Sequence, residues 1–441
     1  MSTHQNALEL AKRTPSTRNR HVDLLRAVSI LVVVVGHWLM AAPQVVGHGL
    51  SFNQLLSTNT WTHYLTWVVQ VMPIFFLVGG YANAASLRSA RLKGEPYAAW
   101  LRARLRRLVL PVLPLLGVWA VGSYVMLRSG LDPSLIRLAS QAALVPLWFL
   151  ATYLLVVALT PVTLRAWDRF GWASLAIGAA LAGLMDLISL GFGIAVVGYL
   201  NYVFVWGTVH GLGYAWADSR IGGVTRRLAL SAVGLVTTVA LVIVGPYPVA
   251  MVGLETQGVN NSQPPKVTLI ALAVFQAGLL LAFESPVRKW LERDRVWAPV
   301  VMANGRIMTI YLWHMTAMLL VIGALWWAGG IGLRLEVDSG VWWLTRPLWI
   351  GGLAAITWPF ISGFGRFEHP RADHRPSPPV WRPLLAVAVL CCGLGFLAAS
   401  GVVDDRGLNG LILSLPFVAA VAGGIGGARL WDRTQRERVG V

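Results

Sequence analysis

Apolar runs of about twenty residues follow one another along nearly the whole chain, broken by short polar or basic stretches. Roughly twenty apolar residues in helical conformation match the thickness of a bilayer's hydrocarbon core. Twelve such segments can be drawn, near 24–42, 65–85, 108–127, 147–164, 172–188, 193–217, 228–246, 267–284, 307–328, 342–362, 383–402 and 409–427. The pattern predicts an all-α polytopic membrane protein with about twelve transmembrane helices. Composition agrees. Of 441 residues 56% are hydrophobic and only 12% charged, and the mean hydropathy is +0.63, more apolar surface than a soluble domain of this size has use for.

The net charge of +17 would suit nucleic acid if the basic residues formed one patch, but they alternate from loop to loop. With the N-terminus in the cytoplasm, the 36 Lys and Arg residues fall almost entirely in cytoplasmic segments. The exceptions are Arg26, inside the first span, and Arg128, Arg137, Lys266, Arg334, Arg346 and Arg406. That bias is the positive-inside rule, and it predicts both termini in the cytoplasm and no nucleic-acid partner. Residues 1–20 are polar and basic, unlike a signal peptide, and read as a cytoplasmic tail. A ten-span core follows at 21–365. The Pro-rich, polar 366–382 reads as a cytoplasmic linker, 383–428 as a two-helix hairpin and 429–441 as a cytoplasmic tail.

The longest outside segments are 43–64 and 247–266. The second, with Tyr247, Glu255, Gln257, Asn260, Asn261 and Gln263, reads as a flexible polar lip over a cavity or as a solvated connector. Cys391 and Cys392 are adjacent in an apolar run and read as small hydrophobes, with no disulfide framework or Cys metal site available. His48 and His63 lie outside with no carboxylate or Cys at metal-ligand spacing, so no metal is expected.

The first span carries the most chemistry. Between Val22 and Trp38 a largely apolar helix holds Arg26 and His37. Eleven residues make three helical turns plus about 20°, so the two side chains share one face about 16 Å apart along the axis. Ionisable groups in a span are costly and mark substrate paths or catalytic cavities. Imidazole titrates near neutrality, so His37 is suited to take a proton from an attacking hydroxyl or to carry an acyl group. Arg26 keeps its proton and offers a planar fork of donors to a phosphate or a developing oxyanion.

Asp23-x-x-Arg26 followed by His37 resembles the first helix of the acyltransferase-3 family of integral membrane acyltransferases. Further matches follow in the family's order. Phe75-Phe76-Leu77-Val78-Gly79-Gly80-Tyr81 is similar to its second-helix motif, with Gly79 where Ser is usual. Arg104 and Arg107 ahead of Pro111 resemble its Arg-x-x-Arg…Pro element, with one residue more before the proline. Leu147-Trp148-Phe149-Leu150 and Ile310-Tyr311-Leu312-Trp313-His314 are similar to its fourth-helix and late-helix motifs. The resemblance covers roughly 20–365 and implies acyl transfer from cytoplasmic acyl-CoA, acetyl or another short chain, to a hydroxyl of a cell-envelope sugar, glycolipid or related molecule. The setting it implies is the bacterial cytoplasmic membrane. On that reading His37 and Arg26 are catalytic.

Arg104 and Arg107 stand at the membrane end of a basic loop and are suited to the phosphates of CoA. Asp23, Trp148, His314 and Asp186 are candidate supports, and His210 reads as packing. Two other readings stand beside this one: an acyltransferase acting on an intracellular secondary metabolite, and a membrane transporter. The sequence shows no internal repeat of the kind transporters are built from. A non-enzymatic scaffold would tolerate loss of His37.

Overall fold

A computed structural model describes residues 9, 12, 14–15, 18–47, 49–253, 258–370, 373, 375–405 and 407–425. His48, Glu255, Gln257, Arg406, most of the tail 1–20 and the tail 429–441 lie outside the described residues. The described residues are 76% helical, with almost no sheet. In chain order the helices are α1 (Arg20–Met40), α2 (Leu55–Thr58), α3 (Thr62–Val69), α4 (Met72–Leu92), α5 (Tyr97–Val109), α6 (Val112–Arg128), α7 (Pro133–Leu144), α8 (Pro146–Phe170) and α9 (Trp172–Asp186). They continue with α10 (Asn201–Ala217), α11 (Val224–Val244), α12 (Thr268–Ala282), α13 (Glu284–Trp290), α14 (Asp294–Gly305), α15 (Ile307–Trp327), α16 (Gly340–Phe364), α17 (Trp381–Ser400) and α18 (Gly410–Ala422). A π-helical turn (Leu187–Gly191), two 3-10 turns (Ala195–Leu200 and Gly365–Glu368) and two small antiparallel hairpins, β1 (Ala41–Val46) with β2 (Gly49–Gln54) and β3 (Val403–Asp404) with β4 (Gly407–Leu408), complete the described elements.

Among the described residues, eight helical stretches are long and apolar enough to cross a membrane. Two bent pairs bring the number to ten: α5 with α6, bent by 42°, and α12 with α13, bent by 52°. The first bend falls at Leu110–Pro111, where proline supplies no N–H to continue the helical ladder. The other two predicted segments contain α10, of 17 residues, and α18, of 13. Each apolar segment drawn from the sequence thus falls on helix.

The chain divides into two compact units. The first comprises 1–86, 159–307 and 322–351, and the second 87–158, 308–321 and 352–441. In the first unit, helices meet through glycine. A Cβ on Gly80 of α4 would overlap the His210 carbonyl of α10, and one on Gly213 would overlap the backbone of Leu77 and Tyr81. Gly234 and Gly278 make the same close approach between α11 and α12. Lipid is as apolar as Leu, so such seams depend on close backbone contact rather than on hydrophobic exclusion.

The loop between α11 and α12 is tied down by buried hydrogen bonds. Gln70 Nε2 donates to the Met251 carbonyl at 2.8 Å and Trp67 Nε1 to Val249 at 2.8 Å. Asn261 Nδ2 donates to Pro248 and Ala250 at 2.8 and 2.9 Å. Its described part is therefore a packed plug rather than a flexible lip, and Asn261 and Ser262 are buried. β1 continues directly from α1, and Val45 N–H donates to the Leu333 carbonyl at 2.9 Å. Under this hairpin Ala42, Leu55 and Trp342 form a small apolar cluster.

In the second unit, α17 and α18 pack as an antiparallel hairpin, with α17 also against α7 and α5. Cys391 Sγ lies 3.2 Å from the Ala151 carbonyl, and both cysteines are free thiols. Glu368 accepts from the backbone N–H groups of Met308 and Thr309, at 3.3 and 2.6 Å. A carboxylate there satisfies the unpaired donors at the start of α15 and complements the helix dipole.

Candidate active site

α1 begins where Asn19 accepts the His21 N–H at 3.1 Å through Oδ1, with Asp23 in the first turn. Both features favour a helix start. Asp23 is buried and holds two cations: Arg18 Nε lies 2.5 Å from Oδ2 and Arg26 Nη1 lies 3.6 Å from Oδ1. Its backbone carbonyl accepts from Asn304 Nδ2 at 2.9 Å. Arg26 is thus a paired, half-buried cation near the start of α1. His37 lies in the last turn of the same helix and is also half-buried. One residue on, the Trp38 carbonyl accepts from Trp349 Nε1 at 2.8 Å, which fixes α16 against this end of α1.

Beside the start of α1 the second-helix motif becomes interpretable. Phe76 stacks on Trp206, with centroids 4.5 Å apart, Gly80 permits the crossing of α4 and α10, and Tyr81 lies 4.6 Å from Trp216. Glu284 then gathers Asn19 Nδ2 at 3.2 Å, Trp216 Nε1 at 3.2 Å and Arg227 Nη1 at 3.3 Å. These residues, with Arg288 and Lys289, line a polar cavity of about 460 Å³. Nothing in the local sequence marks Glu284 as an organiser, because its three partners come from three separate stretches of the chain.

His210, read from sequence as packing, is fully buried and carries two side-chain hydrogen bonds. Asn83 Nδ2 donates to Nε2 at 3.1 Å and Nδ1 lies 2.9 Å from the Tyr214 hydroxyl, which lies 2.8 Å from Thr163 Oγ1. His63 is half-buried with Nε2 2.8 Å from the Leu56 carbonyl. Asp186 is buried at the end of α9. Its carboxylate accepts from Asn201 Nδ2 at 2.8 Å, the Val267 N–H at 2.8 Å and the Tyr247 hydroxyl at 3.2 Å, with Lys266 Nζ at 3.7 Å. Burial and the neighbouring Asp186 charge push the Tyr247 hydroxyl up, so it remains a donor.

Arg104, Arg107, Trp148 and His314 lie in the second unit. α5 displays two kinds of arginine. Arg102 and Arg106 are buried and meet Asp373 Oδ2 at 3.2 and 2.9 Å, while Arg375 completes the cluster at 2.8 Å. Burial alone would raise the Asp373 carboxyl. Hydrogen bonds from Arg375 and the charges of Arg102 and Arg106 outweigh it and hold the carboxyl below the usual carboxylate range. Arg104 is half-buried over the Trp100 ring at 5.6 Å, and Arg107 is exposed. Trp148 is half-buried at the start of α8 with its ring edge-on to Phe149. His314 is fully buried on α15, with Nδ1 2.5 Å from the Tyr311 carbonyl, and the Tyr311 hydroxyl donates to Pro146 at 2.9 Å. Among the described residues no group of three or more His, Cys, Asp or Glu side chains is placed to hold a metal.

A family model described as an acyltransferase domain matches residues 19–362. The chain belongs to the acyltransferase-3 family. The match takes in every candidate site residue and ends before the linker and the C-terminal hairpin. With the long apolar helices it makes the chain a multi-pass membrane acyltransferase. No curated protein and no solved structure matches the chain significantly.

Proposed function

We propose that this acyltransferase moves a short acyl group, acetyl or a near relative, from cytoplasmic acyl-CoA to a hydroxyl of a cell-envelope sugar or glycolipid. The proposed setting is the bacterial cytoplasmic membrane, with twelve spans and both termini inside. The observation that carries the reading is α1 itself, where an acid-paired Arg26 near one end and His37 near the other lie along one helix face.

Their separation suits a donor whose anionic end and reactive carbonyl are joined by a long flexible arm. In this scheme the His37 imidazole accepts the proton of the acceptor hydroxyl while its oxygen attacks the thioester carbonyl. The new ester C–O bond forms, the C–S bond breaks, and the proton leaves on the CoA thiol. Arg26, held by Asp23, orients the donor or stabilises the developing negative charge. Arg104 and Arg107 bind the CoA phosphates. Trp148 and His314 are candidate supports on their own helices of the second unit. Asp186 serves the outer loop first, since its local donors already occupy both carboxylate oxygens.

Purified protein in nanodiscs, given acetyl-CoA and an envelope glycolipid extract, should release free thiol in step with ester appearing on the extract by mass spectrometry. Thiol release without ester, or neither with any short acyl-CoA, contradicts the reading. The orientation has its own test in a cysteine-free background. A cysteine at exposed Gln263 should react with a membrane-impermeant maleimide in intact cells, and one at exposed Ser89 should not. The reverse labelling overturns the topology.

A further inference from the structure

We propose that Arg346 is an anion-binding residue beside the His37 end of α1, built to take the phosphate of an acceptor or of a lipid headgroup. From sequence alone it is one of the few cations on the outward side. In the structure it is 8% exposed, on the second turn of α16. No carboxylate among the described residues pairs with it. Glu336 and Asp338, the nearest acids before it in the chain, are exposed, and Asp338 Oδ1 is engaged by Trp343 Nε1 at 2.8 Å.

The guanidinium is instead gripped by aromatic faces, 4.1 Å from the Trp342 ring centroid and 5.3 Å from that of Trp349. Its two polar contacts are long: Nε to the Trp342 carbonyl at 3.3 Å and Nη2 to Thr345 Oγ1 at 3.4 Å. A guanidinium has five N–H donors and does not lose its proton in a protein. Stripping it of water without a counter-charge is expensive, and aromatic faces offset only part of that cost.

Its surroundings hold it rigidly. Trp342 is clamped by Ala42 and Leu55. Trp349, three residues on, bonds to the Trp38 carbonyl next to His37. The arrangement presents a fixed planar fork whose remaining N–H groups suit the paired oxygens of a phosphate. A tryptophan clamp orients the fork without cancelling its charge, as a carboxylate would.

The outward location rests on the topology proposed above, but anion binding does not depend on the transfer chemistry. The test is thermal unfolding of the purified protein in phosphatidylcholine nanodiscs with glycerol 3-phosphate or, as the neutral control, glycerol. Wild type should be stabilised by glycerol 3-phosphate alone, with binding at least tenfold weaker in Arg346→Met and unchanged in the exposed-site control Arg334→Gln. A response only when phosphatidylglycerol replaces phosphatidylcholine, again lost in Arg346→Met, assigns the phosphate to a headgroup and supports the site.

Arg346→Met should unfold no earlier than wild type without ligand, because it removes an uncompensated buried charge. If Arg346→Met does not fold, Arg346→Lys, with a point charge but no fork, should fold and bind more weakly than wild type. His37→Ala should keep the anion response, so loss of transfer and loss of this site are read separately. An equal response in wild type and Arg346→Met, or no response to either phosphate, overturns the proposal.

Discussion

Asp186 and Arg346 are both buried ionisable groups of the first unit, and the protein treats them in opposite ways. Asp186 is surrounded by donors: an amide, a backbone N–H, a phenol and an ammonium, drawn from α10 and the loop before α12. Arg346 is surrounded by indole rings and weak contacts. A saturated charge is a fastener, because its interactions are made whether or not a substrate is present. An unsaturated one is available to a ligand. The same contrast recurs on α5, where Arg102 and Arg106 are bound by Asp373 while Arg104 and Arg107 lie at its more accessible positions.

The largest expected effect on stability comes from breaking the saturated side. Asp186→Ala leaves Lys266, itself buried, without its counter-charge, and loss of one partner of a buried pair costs about 3–5 kcal/mol. Thermal unfolding should show that loss, with the loop before α12 becoming sensitive to protease. A variant as stable as wild type would remove Asp186 from the class of fasteners.

A smaller effect should separate the two arginine pairs of α5. Replacing Arg104 and Arg107 with Gln should raise the apparent acyl-CoA requirement by ten- to a hundredfold per residue, about 1.5–3 kcal/mol for each lost charged contact. The acceptor requirement should hardly move. Replacing Arg102 and Arg106 should lower thermal stability instead. Calorimetric titration with CoA distinguishes the pairs, and equal CoA affinity in wild type and the Arg104/Arg107 double variant moves the donor site elsewhere.

The smallest effect is a pH dependence. The Asp373 carboxyl titrates lower in the folded protein than in the unfolded chain. Its stabilising contribution is therefore fully present above the unfolded value of about 4 and is lost as pH falls through the lower folded value. The gap in unfolding temperature between wild type and Asp373→Asn should be constant from pH 8 to pH 5 and close only in acid. A gap that closes near neutrality contradicts the assignment.

How much of this was legible in the chain depends on how far apart the partners lie. Spans were readable because apolar length is local, and the Asp23, Arg26 and His37 spacing because helical periodicity is local. The glycine motif was visible as a pattern, but its cause, the passage of the His210 carbonyl over Gly80, belongs to a helix far along the sequence. The loop 247–266 read equally as lip or connector. What packs it is Gln70 and Trp67, whose partners lie more than 180 residues away. Arg346 counted only toward topology, since nothing in sequence shows that Trp342 and Trp349 close over it.

In the proposed reaction His37 performs the proton transfer that lets the acceptor hydroxyl attack. That role is tested most directly by comparing wild type and His37→Ala in the nanodisc assay with acetyl-CoA and envelope glycolipid. Ala favours helix and makes α1 more apolar, so insertion and unfolding temperature should be unchanged. Ester formation should fall at least a hundredfold, the range of a lost general base, while CoA binding persists. Normal ester formation by well-folded His37→Ala would contradict that role.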